Sequence, residues 1–343
     1  MGNLCSGSGG GAFEQSYVLL DELGTGFTAT VYEACPRPAG NSLSSRQSSG
    51  SNRQQLAVKV VDKKRFNREE LAGLLKEAEF LSELNHENVV KLHGFFNDRP
   101  SKAYLVLDLL SGGDLFGRLE ERTTYDEVSA RDLTRNLLKA LAHLEEHSIV
   151  HRDLKLAALM LRSADSDSDG VLIDFGLAER CQGRNLTQQC GTPAYVAPEM
   201  LREPCEGYGC DVDVWAAGVI LFTLLGGYAP FRASKAGERG ERELYRLIEK
   251  QPLEFDPQWW GGVGSDAQAM VSQLLNKDPD ARPSAAQCLG HRWFVNNPPG
   301  TGTRVSHLDR GIRHSQSFPP STGPSGRRSQ PAPPKAKPAL SSG

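Results

Sequence analysis

The chain has 343 residues, 38% of them hydrophobic and 24% charged, which describes a globular protein able to bury a substantial core. Its formal net charge of -3 supplies no pull toward nucleic acid, so no nucleic-acid partner is expected. The seven cysteines and eight histidines form no CxxC pair and no zinc spacing, which excludes a zinc module and fits free thiols in a reducing compartment.

Cys205 and Cys210 are close enough in sequence to form a redox pair, though nothing in their spacing favours it. No cleavable signal peptide is visible, because the Gly/Ser-rich start lacks an apolar core. The longest apolar run, Val214 to Leu225, is too short to span a bilayer and reads as a buried helix.

In chain order, Gly2 with Ser6 matches the N-myristoylation pattern, and Cys5 is placed for palmitoylation. One acyl chain binds a membrane marginally and two bind stably. Residues 1–16 are therefore expected to be a flexible, lipidated leader that holds a cytoplasmic protein at the inner leaflet. From Val18 to Ala34, apolar residues alternate around Gly24-Thr25-Gly26-Phe27, a strand, a glycine turn and a second strand. Such a turn can close its backbone N–H groups over phosphates, but an ordinary hairpin accounts for it equally well in isolation. Pro36 to Gln55 is polar and Ser-rich, and is expected to be a disordered insertion.

Leu56 to Val61 reads as a strand with Lys59 embedded in it. An ammonium group there needs a partner, and the stretch from Arg68 to Leu84, which contains Glu77, follows a helical pattern. Tyr104 to Leu110 is a further apolar strand, broken by Ser111-Gly112-Gly113 before a helix beginning at Asp114. That aspartate could cap its own helix or face a ligand. Ala130 to His147 has helical periodicity. Asp165 to Gly170 imitates a calcium loop, but its twelfth position is Gly176 where the loop needs a glutamate, so a polar hairpin turn is expected.

The remaining stretches carry chemistry. His151-Arg152-Asp153-Leu154-Lys155 and Asp174-Phe175-Gly176 put two carboxylates and a lysine on short loops beside apolar runs. Phosphoryl transfer needs that set: a carboxylate to accept a hydroxyl proton, another for a metal, and a cation at the transferred phosphate. Together with Gly24 and Gly26, Lys59, Glu77, Ala197-Pro198-Glu199, Asp213 and Arg282, all in order within residues 17–296, they resemble the eukaryotic protein kinases. The wording around Gly112-Gly113-Asp114-Leu115-Phe116 and Gly191 is most similar to the calcium/calmodulin-dependent group, without implying calcium control.

The resemblance implies an α+β, two-lobed kinase fold: a small β-rich N-lobe with one main helix and a large, mostly helical C-lobe. It implies a serine/threonine kinase that takes ATP with Mg²⁺ or Mn²⁺ and acts on serine and threonine of protein substrates. The nucleotide-binding set is Leu23, Gly24, Thr25, Gly26, Phe27, Val31, Ala57, Lys59, Glu77, Leu107, Asp108, Leu110, Asp114, Met160 and Asp174. Asp174 is also the metal ligand, while Asp153, Lys155 and Thr192 form the catalytic set. Arg152 resembles the arginine that pairs with a phosphorylated activation loop. Thr187 is the expected phosphosite, although the usual register falls on Gln188. Arg282 is expected to pair with Glu199.

One position departs from the family. Ala158 stands where the usual metal-ligating asparagine would both hold a metal and brace the loop carrying Asp153. Ala157 likewise lacks the glutamate of many basophilic kinases. Two readings follow: a kinase with a weakened metal site, or a pseudokinase acting as a nucleotide-binding or scaffolding partner. The chain closes with a Pro-, Ser- and Arg-containing segment, 297–343, expected to be disordered.

Overall fold

The computed structural model describes residues 12–26, 29–38 and 55–297. The small lobe is an antiparallel sheet of β1 (Tyr17–Thr25), β2 (Ala29–Pro36), β3 (Leu56–Asp62), β4 (Leu92–Phe96) and β5 (Lys102–Asp108), in the order β1-β2-β3-β5-β4. Both faces of its central strands are covered, because successive side chains alternate faces and nearly all are apolar. Val58, Val60, Tyr104 and Val106 belong to an outer cluster, while Val61, Ala103 and Leu105 belong to the core that continues into the large lobe.

The outer cluster corrects the expected leader. Residues 12–16 are not a flexible extension but a helical turn, α1 (Ala12–Ser16), whose Phe13 is buried. Its ring stacks on Tyr104 with centroids 4.1 Å apart, so an aromatic contact fixes the turn. The expected insertion is also narrower than 36–55. Pro36 pairs with Tyr17 at the end of β2, and Gln55 Nε2 donates to Glu33 at 2.8 Å. The intervening 39–54, residues 1–11, Phe27 and residues 298–343 lie outside the described residues. Asn297, expected in the tail, is still tied to the domain: its carbonyl accepts from Arg135 Nη2 at 2.6 Å.

The helix α2 (Arg68–Glu83) packs against the inner face of the sheet through Leu74, Phe80 and Leu81. Asn67 caps it in a reciprocal capping box with Glu70, which satisfies the free N–H groups of Asn67, Glu69 and Glu70 at its start. The strand β5 stops at Asp108, two residues short of the expected Leu110, and the chain then crosses to the large lobe.

That lobe comprises α3 (Leu115–Arg122), α4 (Glu127–Glu146), the paired strands β6 (Ile149–Val150) and β9 (Glu179–Arg180), and the hairpin β7 (Leu159–Leu161) with β8 (Gly170–Leu172). The polar stretch 165–170 is the turn of this hairpin, and Asp167 pairs with Arg118 and Arg122. At the centre lies α5 (Asp211–Gly226), every residue of which from Val212 onward is buried. Arg282 meets Glu199 in a two-pronged buried pair, Nη1 to Oε1 at 2.6 Å and Nη2 to Oε2 at 3.0 Å. A buried pair of this kind specifies packing, and losing one partner costs about 3–5 kcal/mol.

Candidate active site

The roof of the interlobe cleft is built by strand register. Gly24 faces Val31, Val31 faces Lys59, and Ala57 faces Leu107, so these positions form two adjoining rows across the sheet. Leu23 is exposed and Thr25 closes the turn, its hydroxyl 2.6 Å from that of Thr30. Gly26 donates its N–H to Ala29 O at 2.8 Å.

Lys59 projects from β3 to Glu77 of α2, with Nζ 2.7 and 3.0 Å from the two carboxylate oxygens. Burial alone would lower the lysine pKa. The carboxylates of Glu77 and Asp174 outweigh it and hold the group above its ordinary value. Lys59 is therefore a fixed cation at the roof.

The back of the cleft runs through Leu107 and Asp108, whose carboxylate is 2.7 Å from His93 Nε2. Leu110 is buried, and Met160 forms a bridge with Asp114 at the floor. Asp114 spends its carboxylate on its own helix, accepting from Gly117 N at 2.9 Å, so of its two expected roles the structure displays capping. Gly113 adopts φ +75°, a left-handed conformation that a side chain would disfavour, and so turns the chain into α3.

Beneath, three side chains converge on one point. Thr192 Oγ1 donates to Asp153 Oδ1 at 2.6 Å, Lys155 Nζ donates to Oδ2, and Lys155 also reaches Thr192 Oγ1 at 3.3 Å. Thr192 arrives there because Gly191, at φ +95°, passes so close to the loop that a Cβ would sit 2.4 Å from Arg152 O. From below, the buried Asp213 carboxylate accepts from His151 N at 2.6 Å and Arg152 N at 2.9 Å. Sequence reasoning placed Asp213 at the start of the core helix. The structure adds that it splints the loop carrying Asp153.

These contacts correct one expectation about Ala158. The loop is braced without an asparagine, by Asp213 from below and by Thr192 and Lys155 from the side. Ala158 is itself buried, and its carbonyl accepts from Ile173 N at 2.9 Å, tying the loop to the strand that leads into Asp174.

Asp174 stands on that connection at φ +65°. Phe175 behind it is buried and lies edge-on to His151, with centroids 5.1 Å apart. Desolvation would raise the Asp174 pKa. Lys59, His151, Lys155 and the Gly176 N–H together hold it below the ordinary carboxylate value. It is therefore an ionised oxygen donor at the mouth of the cleft. Magnesium is commonly held by one or two carboxylates plus substrate phosphates, so this donor fits such an ion as a minimal protein contribution.

The contacts that fix α2 have no local signature in the chain. Lys76 bonds both oxygens of Glu179 at 2.7 and 3.0 Å, and Arg180 Nη2 reaches Glu83 Oε2 at 2.6 Å. Two adjacent residues of β9 thus clamp the helix bearing Glu77. Arg152, expected to meet a phosphorylated loop, donates here to Leu177 O at 2.7 Å and to Tyr208 Oη at 3.4 Å. Thr187 is exposed.

The protein kinase domain family matches residues 17–294. The chain therefore belongs to the protein kinase family. It is 36% identical over 290 residues to calcium/calmodulin-dependent protein kinase type 1 of Macrobrachium nipponense, covering 84% of this chain and 78% of that one. It is 34% identical over 286 residues to myosin light chain kinase A of Dictyostelium discoideum, covering 83% and 90%. A third relative is human serine/threonine-protein kinase DCLK3, 42% identical over 244 residues, covering 71% of this chain and 36% of that protein. Within the family the chain is a serine/threonine kinase most like the calcium/calmodulin-dependent group.

Proposed function

We propose that the chain transfers the γ-phosphoryl group of ATP to serine and threonine hydroxyls of proteins, using a metal site to which its side chains contribute Asp174 alone. The observation that carries this reading is the Asp153–Lys155–Thr192 network. An ionised carboxylate offers about four acceptor positions; two are taken here, which leaves room for a substrate hydroxyl. Asp153 accepts that proton, and Thr192 keeps the carboxylate aimed. Lys155, already beside it, offers positive charge to the phosphoryl group as it moves. Lys59, held by Glu77, orients the nucleotide phosphates. Leu23, Val31, Ala57, Leu107 and Met160 enclose the base, with the backbone of Asp108 and Leu110 at its edge and Gly24 to Gly26 above the phosphates. Bound Mg²⁺ or Mn²⁺ supplies neutralisation of phosphate charge, and Ala158 adds no ligand to it.

The test is transfer of labelled phosphate to a mixed peptide pool. Label on serine or threonine that Asp153→Asn removes, with nucleotide binding retained, supports the reading. No label in the wild type, with nucleotide still bound, favours the pseudokinase reading that Ala158 motivates.

We also propose that Gly2 is myristoylated and Cys5 palmitoylated, placing the kinase at the cytoplasmic face of a membrane. The support is the sequence pattern itself. Among the described residues no helix is long and apolar enough to cross a membrane. Incorporation of labelled myristate that persists in Gly2→Ala would contradict this assignment.

A further inference from the structure

Cys181 and Cys210 lie far apart in sequence and adjacent in space. Cys181 follows β9 directly, and its N–H is anchored to Ser148 O at 2.9 Å. Cys210 caps the start of α5, with its sulfur 3.6 Å from Ile149 O. Ser148 and Ile149 are consecutive, so one short stretch of backbone holds both residues, and their Sγ atoms are 3.0 Å apart. A disulfide needs the sulfurs about 2.05 Å apart, so closure asks for a shift of roughly 1 Å. The other thiols of this region have different neighbours: Cys190 Sγ lies 4.0 Å from Tyr208 Oη, and Cys205 Sγ lies 3.7 Å from Glu199 O. The pairing of Cys205 with Cys210 considered from sequence is replaced by Cys181 with Cys210.

We infer that Cys181 and Cys210 form an oxidation site that a peroxide converts to a disulfide tethering the activation segment to the core helix.

The chemistry balances as follows. The Cys181 thiolate attacks one peroxide oxygen, the O–O bond breaks, and the second oxygen leaves and is protonated to water. This leaves a sulfenic acid on Cys181. The Cys210 sulfur then attacks the Cys181 sulfur, the S–O bond breaks, and a second water departs as the S–S bond forms. Two thiols give up two protons and two electrons to one peroxide. The contact with Cys210 favours Cys181 as the attacking sulfur, because it holds that thiol below its ordinary pKa against burial and the nearby Asp213 and Asp211. The same contact and burial push Cys210 up. Cys181 is buried but adjoins the exposed residues 182–185, from which a small oxidant reaches it.

The covalent ring so formed encloses residues 182–209, including Thr187, Gly191 and Thr192. It also pins the end of β9, whose Glu179 and Arg180 clamp α2. None of this depends on whether the chain transfers phosphate.

The test treats the full-length protein with hydrogen peroxide, alkylates remaining thiols under denaturing conditions, and maps digested peptides by mass with and without reductant. The expected result is a Cys181–Cys210 linked pair, two hydrogens lighter than the reduced peptides together and released by reductant. It should persist in Cys190→Ser and Cys205→Ser. In Cys210→Ser a dimedone-type probe should trap the sulfenic acid on Cys181. Recovery of both thiols alkylated while other cysteines oxidise, or linkage of Cys181 to Cys190 or Cys205, would overturn the inference. Wild-type mapping alone decides the matter should a variant not fold.

Discussion

The two carboxylates of the cleft are furnished unequally. Around Asp153, a lysine and a threonine occupy both oxygens, and Asp213 splints the backbone from beneath. Around Asp174, cations hold the charge, and position 158 carries only the buried methyl group of an alanine. On the function proposed above, one end of the site receives a proton and the other would hold a metal ion from one side. Order at the proton end therefore does not depend on the ligand missing at the metal end, and the two should respond separately to mutation.

The largest effect is expected at Asp153. Asp153→Asn keeps the shape and removes the proton acceptor, which should lower transfer by about 10²- to 10⁴-fold while nucleotide binding, read by fluorescence titration, stays within a factor of a few. Next comes the metal end. Ala158→Asn should raise turnover by ~10²-fold, the scale of one electrostatic ligand at a reacting phosphate, and lower the metal concentration needed for half-maximal rate. An unchanged metal requirement would show that position 158 does not reach the ion.

Thr192→Val removes one hydrogen bond to a charged carboxylate, worth about 1.5–3 kcal/mol where such bonds are formed. It should slow transfer by roughly tenfold or more without altering the metal requirement, which separates the two ends within one variant. Smaller still are the clamps on α2: Lys76→Ala and Glu83→Ala each break a partly exposed pair and should lower stability by no more than about 1 kcal/mol in denaturant titration.

Acid sharpens the same contrast. Because the folded state holds Asp174 below the ordinary carboxylate value of 3.8, its contribution is present above that pH and is lost as pH falls through the lower folded value. The stability difference between wild type and Asp174→Asn should thus be constant from neutrality down to the ordinary carboxylate range and shrink only below it.

Much of this was legible in the sequence because it is carried by local pattern. The helices α2 and α4 follow from helical periodicity, α5 from an unbroken apolar run, and the hairpin at 165–170 from a polar turn between apolar runs. Lys59 needed a partner by the physics of burial, and Glu77 is that partner. What stayed hidden depends on distant segments meeting. Phe13 anchors a helical turn by packing on Tyr104, Phe96 and Tyr17, which come from different strands of the sheet. Glu179 and Arg180 look like ordinary surface charges until β9 passes α2. Cys181 and Cys210 become neighbours only through the backbone at Ser148 and Ile149. The bracing role of Asp213 was similarly invisible, since a buried carboxylate at a helix start says nothing of which amides it will find.

The most direct test of this contrast is the rate of labelled-phosphate transfer as a function of Mg²⁺ and Mn²⁺ concentration, in wild type, Ala158→Asn and Asp153→Asn side by side. The expected pattern is measurable wild-type transfer at high metal, a higher rate at lower metal in Ala158→Asn, and about 10²- to 10⁴-fold less transfer than wild type in Asp153→Asn. Silence in both wild type and Ala158→Asn, with nucleotide bound to each, would contradict the claim that the proton end is intact and the metal end alone is weakened.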